Sequence, residues 1–475
     1  MKNILIAIRS IFKKGRHNVM KIVSLGIGLA VGLVLIAKVY FEQSYDDFYP
    51  DRDRVYQVWA KYQQNGGELK DYPQTSGGIA PTMQQQIPEI ETVTRYTSFG
   101  DWTFTMTDTK MKYSGRCIIA DSCFFDILPR PMLIGNAKEV LSTPMYVLVS
   151  SRIAKNIGGD VIGKNFTVDS SPGRTMTIGG VFEEVPENSH SRYDVIVSMA
   201  SAGRFMWEGS PTNMLGNDRY ISYVKLHKGV NPLALEEQVH TFVNSYFPPE
   251  EQQKTGFNIG FSFHELDGLH KELPQVKRMT WILSLLAFAL IFTAVMNYIL
   301  IVISSIVNRS KEVAVHKCYG ASENNIHGMM FGEALVHIVF SLILALLLIL
   351  AFRGTVEELL ATSLDSLLLS NGSLVLLGIC ILVFFVSGFM PGSLYARIPV
   401  ASAFRNYREN KRIWKKALLL VQFVATGFLV TMLVFVARQY TFMVNDRPGY
   451  AYENLAYCGL AGVDSTSRAK ILDEV

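Results

Sequence analysis

The chain has 475 residues, 49% of them hydrophobic and 18% charged, with a formal net charge of +4. Soluble globular domains usually carry about 25% charged residues. Here the deficit falls in long charge-free stretches between ordinary polar sequence, which excludes a wholly soluble protein and predicts spans alternating with folded aqueous domains. So small a net charge gives no case for a nucleic-acid partner.

Residues 1–21 carry Lys2, Arg9, Lys13, Lys14, Arg16 and Lys21 and no acid. Ile4, Leu5, Ile8, Ile11 and Phe12 recur at helical spacing, with Lys2, Arg9, Lys13 and Arg16 on another stripe. That pattern fits an interfacial helix on an anionic leaflet, and equally a plain basic anchor. A first span follows over 22–41. It reads as a retained span and not as a signal peptide. The basic stretch before it is long, and no small-x-small cleavage site follows Lys38, Tyr40 and Phe41.

Residues 42–276 form a long insertion before the second span. Runs with strand character (Val55 to Ala60, Met145 to Ser150, Arg174 to Phe182, Tyr220 to Leu226) alternate with helical patches such as Ala80 to Gln86 and Leu233 to Phe247, which predicts an α/β domain of mixed sheet. Two features there imitate chemistry. Ser189, His190 and Asp194 suggest a hydrolytic triad, but closeness in sequence is not triad geometry, and the PENSH run reads better as a turn. Gly158, Gly163 and Lys164 nearly complete a phosphate loop. Asn165 stands where Ser or Thr must hold magnesium, so the motif fails. Cys117 and Cys123 leave two readings open, a disulfide in an oxidising compartment and two free thiols.

The second span is placed at 277–303 and the third at 329–352. Between them, 304–328 reads as a charged, structured elbow. Arg309, Glu312 and His316 share one helical face, Gly320 suits a helix end, and Ser322 or Asn324 suits the next N-cap. A plain solvated helix end is the alternative. Glu333 and His337 lie four residues apart early in the third span and read as a structural or interface pair. A short loop (353–373), a fourth span (374–396), a basic linker (397–416), a fifth span (417–437) and the start of a second outer segment (438–475) complete the chain. Lys and Arg concentrate in 1–21, 304–328 and 397–416. By the positive-inside rule these face the cytoplasm, with the insertion outside.

The run NYILIVISSIVNRSKEVAVHKCYGAS, from Asn297, resembles the signature of MacB/FtsX-type ABC transporter permeases. SLGIGLAVGL, SYDDFYPDRDRVYQV, ADSCFFDILPRPMLIG, GGVFEEVPENSH and PGSLYARIPVASAFR are similar, in order and spacing, to further landmarks of that family in its Bacteroidetes style. The resemblance implies a helical transmembrane bundle with an inserted MacB-like periplasmic core domain, its five spans part of an eight-span repeat. It also implies that Arg309, Lys311, Glu312, His316, Lys317, Gly320 and Ala321 form the interface with an ATPase. His316 stands where arginine is commoner. On this reading the chain is not itself catalytic and binds no cofactor; ATP and magnesium belong to a partner ABC ATPase. The further partners are a second permease copy or homologue and membrane lipid. The expected location is the bacterial inner membrane, with the N-terminus cytoplasmic. The expected function couples ATP hydrolysis to movement of periplasmic domains, in export, efflux or mechanotransmission. A sensory receptor is the rival. With the insertion as an extracytoplasmic ligand-binding domain, it would need a cytoplasmic output domain; the longest cytoplasmic connection, about 25 residues, is too short for one, and an output domain beyond residue 475 would rescue the reading. A membrane-bound hydrolase would need a nucleophile–base or metal constellation, which the sequence does not offer.

Overall fold

The computed structural model describes residues 17–169, 171–216, 218–368, 372–396, 413–445 and 470. The basic stretch to residue 16, the linker 397–412 and all but Lys470 of the chain after Asn445 lie outside the described residues, and so do the expectations placed on them. The described residues form two compact units, a helical one that takes in the chain up to Gln43 and again from Pro274 to Asn445, and an α/β one built on Ser44–Leu273.

Among the described residues, five helices are long and apolar enough to cross a membrane: Asn18–Gln43, Pro274–Ser304, Glu323–Ala351, Ser373–Ser393 and Leu419–Asn445. The first four share one core that includes Leu25, Leu29, Tyr298, Ile299, Ile338 and Val383. The first helix is central because its glycines remove side chains where neighbours press closest. A Cβ on Gly28 would lie 2.2 Å from Ala294 Cβ, and one on Gly32 would lie 2.4 Å from Ile291 Cγ1. Such small-residue seams are how helices gain contact in lipid, where no hydrophobic drive brings them together. Ser341 Oγ of the third helix donates to the Ile22 carbonyl at 3.1 Å. The fifth helix is almost wholly exposed. It meets the second through a hydrogen bond from Gln422 to Asn297. The segment 353–373 is no bare loop: it holds two short helices, Arg353–Leu360 and Leu364–Leu368.

The α/β unit is built on one eleven-stranded sheet. Its strands are β1 (Val55–Gln64), β2 (Lys70–Tyr72), β3 (Ile90–Met106), β4 (Lys112–Ala120), β5 (Met132–Ile134), β6 (Tyr146–Ser150), β7 (Asn165–Val168), β8 (Ser171–Phe182), β9 (Val195–Ser198), β10 (Ile221–Leu226) and β11 (Phe257–Glu265). The order is β11-β1-β10-β3-β4-β9-β6-β8-β5, with β2 on β1 and β7 joining β3 to β8. The pairings β4–β9 and β6–β8 are parallel and the rest antiparallel, so the sheet is mixed. Helices Ile79–Gln86 and Glu236–Tyr246 bury Met83 and Phe242 in one of its cores.

Candidate functional site

The second span ends at Ser304, and after a one-residue break the helix Ile306–Cys318 begins. Val313 and Ala314 are each 1% exposed and belong to the core of the spans. This apolar pair fixes which way the helix faces. The opposite side then presents Lys311, Val315 and Tyr319 at i, i+4 and i+8, one stripe on a helix, and Tyr319 is 89% exposed. Gly320, at φ +86°, ends the helix in the left-handed region, where a side chain is disfavoured. Ser322 caps the third span by accepting from the Asn325 amide.

The seven elbow residues named from the sequence therefore sit differently. Lys311, His316 and Gly320 are exposed. Glu312, Lys317 and Ala321 are half-buried, Ala321 packing on the span core. The Arg309 side chain lies outside the described residues. Glu312 and His316 flank the stripe of Lys311, Val315 and Tyr319. Val315 and Tyr319 were missed. The signal that could have found them is the adjacent pair Val313–Ala314, which must turn inward and so turns 315 and 319 outward.

From the elbow the third span runs straight into a buried polar group. Glu333 pairs with Lys21 of the first span at 3.5 Å, with side chains 8% and 1% exposed. Lys21 also donates to Asn18. His337, fully buried, meets Tyr298 of the second span, Nδ1 to hydroxyl, at 3.1 Å. Glu333 thus ties the third span to the first, and His337 ties it to the second. Toward its other end, Lys38 of the first span pairs with Glu42 at 2.6 Å and donates to Thr362 at 2.7 Å.

In the inserted domain the sequence landmarks converge. Asp46, fully buried with φ +59°, accepts from the Ser189 hydroxyl at 3.1 Å and from His190 Nδ1 at 2.8 Å. The other ring nitrogen, Nε2, lies 2.6 Å from the Tyr223 hydroxyl. Asn188 donates to the Ser44 carbonyl. Arg130 stacks over Phe48 and pairs with Glu183. SYDDFYP, ILPRP and FEEVPENSH are therefore one structural joint. His190 is oriented by Asp46, while Asp194 holds Arg152 and the Arg116 amide, so no triad forms. Gly158, Gly159 and Gly163 make left-handed turns, and Lys164 donates to the Gly158 carbonyl. Cys117 and Cys123 are free thiols facing separate carbonyls, Ile118 and Val93, and burial pushes both up in pKa.

Residues 20–242 match the family described as MacB-like periplasmic core domain, and residues 284–400 the family described as FtsX-like permease C-terminal. Among solved structures, the chain is similar to a domain of a permease protein from Porphyromonas gingivalis. Identity is 32%, covering 46% of this chain and 91% of that one, with a TM-score of 0.42. It is also similar to the periplasmic region of MacB from Actinobacillus actinomycetemcomitans (16% identity, 46% and 92% covered, TM-score 0.30). A third similarity is to the extracellular domain of the noncanonic ABC-type transporter YknZ from Gram-positive bacteria (10% identity, 43% and 98% covered, TM-score 0.31). No curated protein matches the chain.

Proposed function

This chain belongs to the MacB/FtsX-type ABC permeases, and from that premise we propose that it couples ATP hydrolysis, performed by a separate ABC ATPase, to movement of its inserted domain. The observation that carries the proposal is the elbow. One face of its helix is locked into the span core through Val313 and Ala314, and the other offers Lys311, Val315, His316 and Tyr319 to a partner. A rigidly mounted helix with an uncovered, mixed apolar and basic face suits a force-bearing contact better than a solvated loop would.

A push on that face has a path. The elbow leads through Gly320 and the Ser322 cap into the third span, and Glu333 ties that span to Lys21 of the first. The first span leads by chain connectivity into the inserted domain. Buried charges cluster near the two ends of the first span, and its middle is apolar. A path for a polar solute would call for polar groups at mid-membrane, so transmission fits better than passage between the spans.

On this reading ATP and magnesium sit on the partner, the permease works with a second copy or a homologue, and the membrane is the bacterial inner membrane. The elbow and N-terminus face the cytoplasm, supported by the Lys and Arg of 1–21 and 304–328. The test is a pull-down with the co-expressed ATPase, comparing wild type with Glu312→Lys. Lost binding and lost ATPase stimulation are expected. A variant that binds and stimulates normally would refute the elbow as the coupling surface.

A further inference from the structure

The first, second and fourth spans part along one side and leave a crevice of about 390 Å³. Its walls include Ile36, Val39, Phe288, Phe292, Val383 and Val386, and Ser284 is its one polar lining residue. On the second span the lining runs from Ser284 to Met296. Twelve residues at 1.5 Å each make it about 18 Å long. A slot so long and so apolar suits an extended hydrocarbon chain lying along the spans.

The wall continues beyond the crevice with a change of chemistry. One turn before Ser284 stands Trp281, 78% exposed, and one turn before that Arg278, also exposed. Arg278 lies six residues, about 9 Å, along the helix from Ser284. An exposed Trp followed by an Arg at the end of a span is the arrangement found at headgroup level, and a guanidinium binds phosphate in bidentate fashion. Apolar slot, interfacial indole and cation follow one another on a single helix face.

We propose that this crevice is a binding site for one membrane phospholipid, with an acyl chain in the slot and the phosphate at Arg278. The lipid would wedge the second and fourth spans at a fixed separation.

The test uses the full chain purified from membranes and reads retained phospholipid by native mass spectrometry. Wild type is expected to keep one phospholipid per chain. Filling the slot with Ser284→Trp plus Val386→Trp should lower that occupancy at least tenfold, and Arg278→Glu should lower retention of anionic phospholipid at least fivefold. A third arm needs no filled slot. In nanodiscs of phosphatidylglycerol with brominated acyl chains, wild-type fluorescence should be quenched beyond that of Trp281→Phe, by contact between the indole and the bound chain. Retention equal in wild type and both variants overturns the proposal. So does retention by neither together with no Trp281-dependent quenching, or a change from one chain to two when the slot is filled, which would make the occupant a second copy.

Discussion

Tyr319 offers the sharpest test of how the elbow engages a partner. A tyrosine buries about 150–250 Å² when covered, and 89% of Tyr319 is open. Roughly 130–220 Å² therefore remain to be buried, at most about 3–5.5 kcal/mol at ~25 cal/mol per Å². Association consumes part of this in lost freedom, and anchoring aromatic residues typically cost about 2–4 kcal/mol on truncation to alanine. Tyr319→Ala is thus expected to weaken ATPase binding roughly 30- to 900-fold, since each 1.36 kcal/mol is tenfold. The permease fold should be untouched, because the side chain is not part of the span core. The assay is titration of the purified ATPase onto permease in nanodiscs, with thermal unfolding as the fold control. An affinity within threefold of wild type, in a variant that melts normally, would show that the outward stripe is not the docking face.

Three further outcomes follow from contacts elsewhere. Gly28→Ala drives a methyl to 2.2 Å from Ala294 Cβ, far inside the ~3.5–4.0 Å of ordinary contact. It should lower stability by about 1–3 kcal/mol, while Gly427→Ala, with nothing within 4 Å, should be neutral in the same detergent melt. Lys21→Met removes the cation paired with buried Glu333 and should cost up to about 3–5 kcal/mol. Adding Glu333→Gln should recover most of it, and a double variant as unstable as the single one would argue against the pair. In the inserted domain, hydrogen bonds from Lys225 and then Arg54 hold Asp51 below the usual carboxylate range, and Arg54 does the same for Glu91. Depressed acids contribute stability above their unfolded pKa and lose it as pH falls through the folded one. Lys225→Met should therefore separate from wild type in chemical denaturation at neutral pH and rejoin it in acid; a gap that persists in acid would mean that packing, and not charge, holds the site.

Much of this architecture is legible in the sequence because its signals are local. Charge-free runs mark the long helices, and Gly320 and Ser322 mark the elbow's turn by their own backbone chemistry. The misses share a cause in long-range pairing. β3 runs from Ile90 to Met106, but its register slips between Ser98 and Gly100, and the bulge breaks the alternation that would reveal one strand. β11, FNIGFSFHE, is half-buried along most of its length, so it carries no clean apolar face to read. The tie between Asp46 and His190 crosses 144 residues, and no spacing rule announces it. Glu333 and His337 are close in sequence, but the contacts that tie them to Lys21 and Tyr298 cross 312 and 39 residues.

The first span then explains why the chain places its landmarks where it does. A helix that transmits motion must neither bend away from its neighbours nor slide along them. The glycine seam at Gly28 and Gly32 opposes bending away, since close backbone approach spreads contact over several turns. Sliding is opposed by polar pins, which are costly to break where water is scarce. Lys21 and the Ile22 carbonyl hold one end to Glu333 and Ser341 of the third span, and Lys38 holds the other to Thr362. The next residues, Ser44 to Asp46, are themselves fastened to Asn188, Ser189 and His190 within the inserted domain. On the proposed coupling role, these ties would resist slippage at the two ends of the first span and, separately, within the inserted domain where the chain enters it. Loosening one pin should reduce transmission without abolishing ATPase binding, and that separation distinguishes a coupling rod from a docking surface.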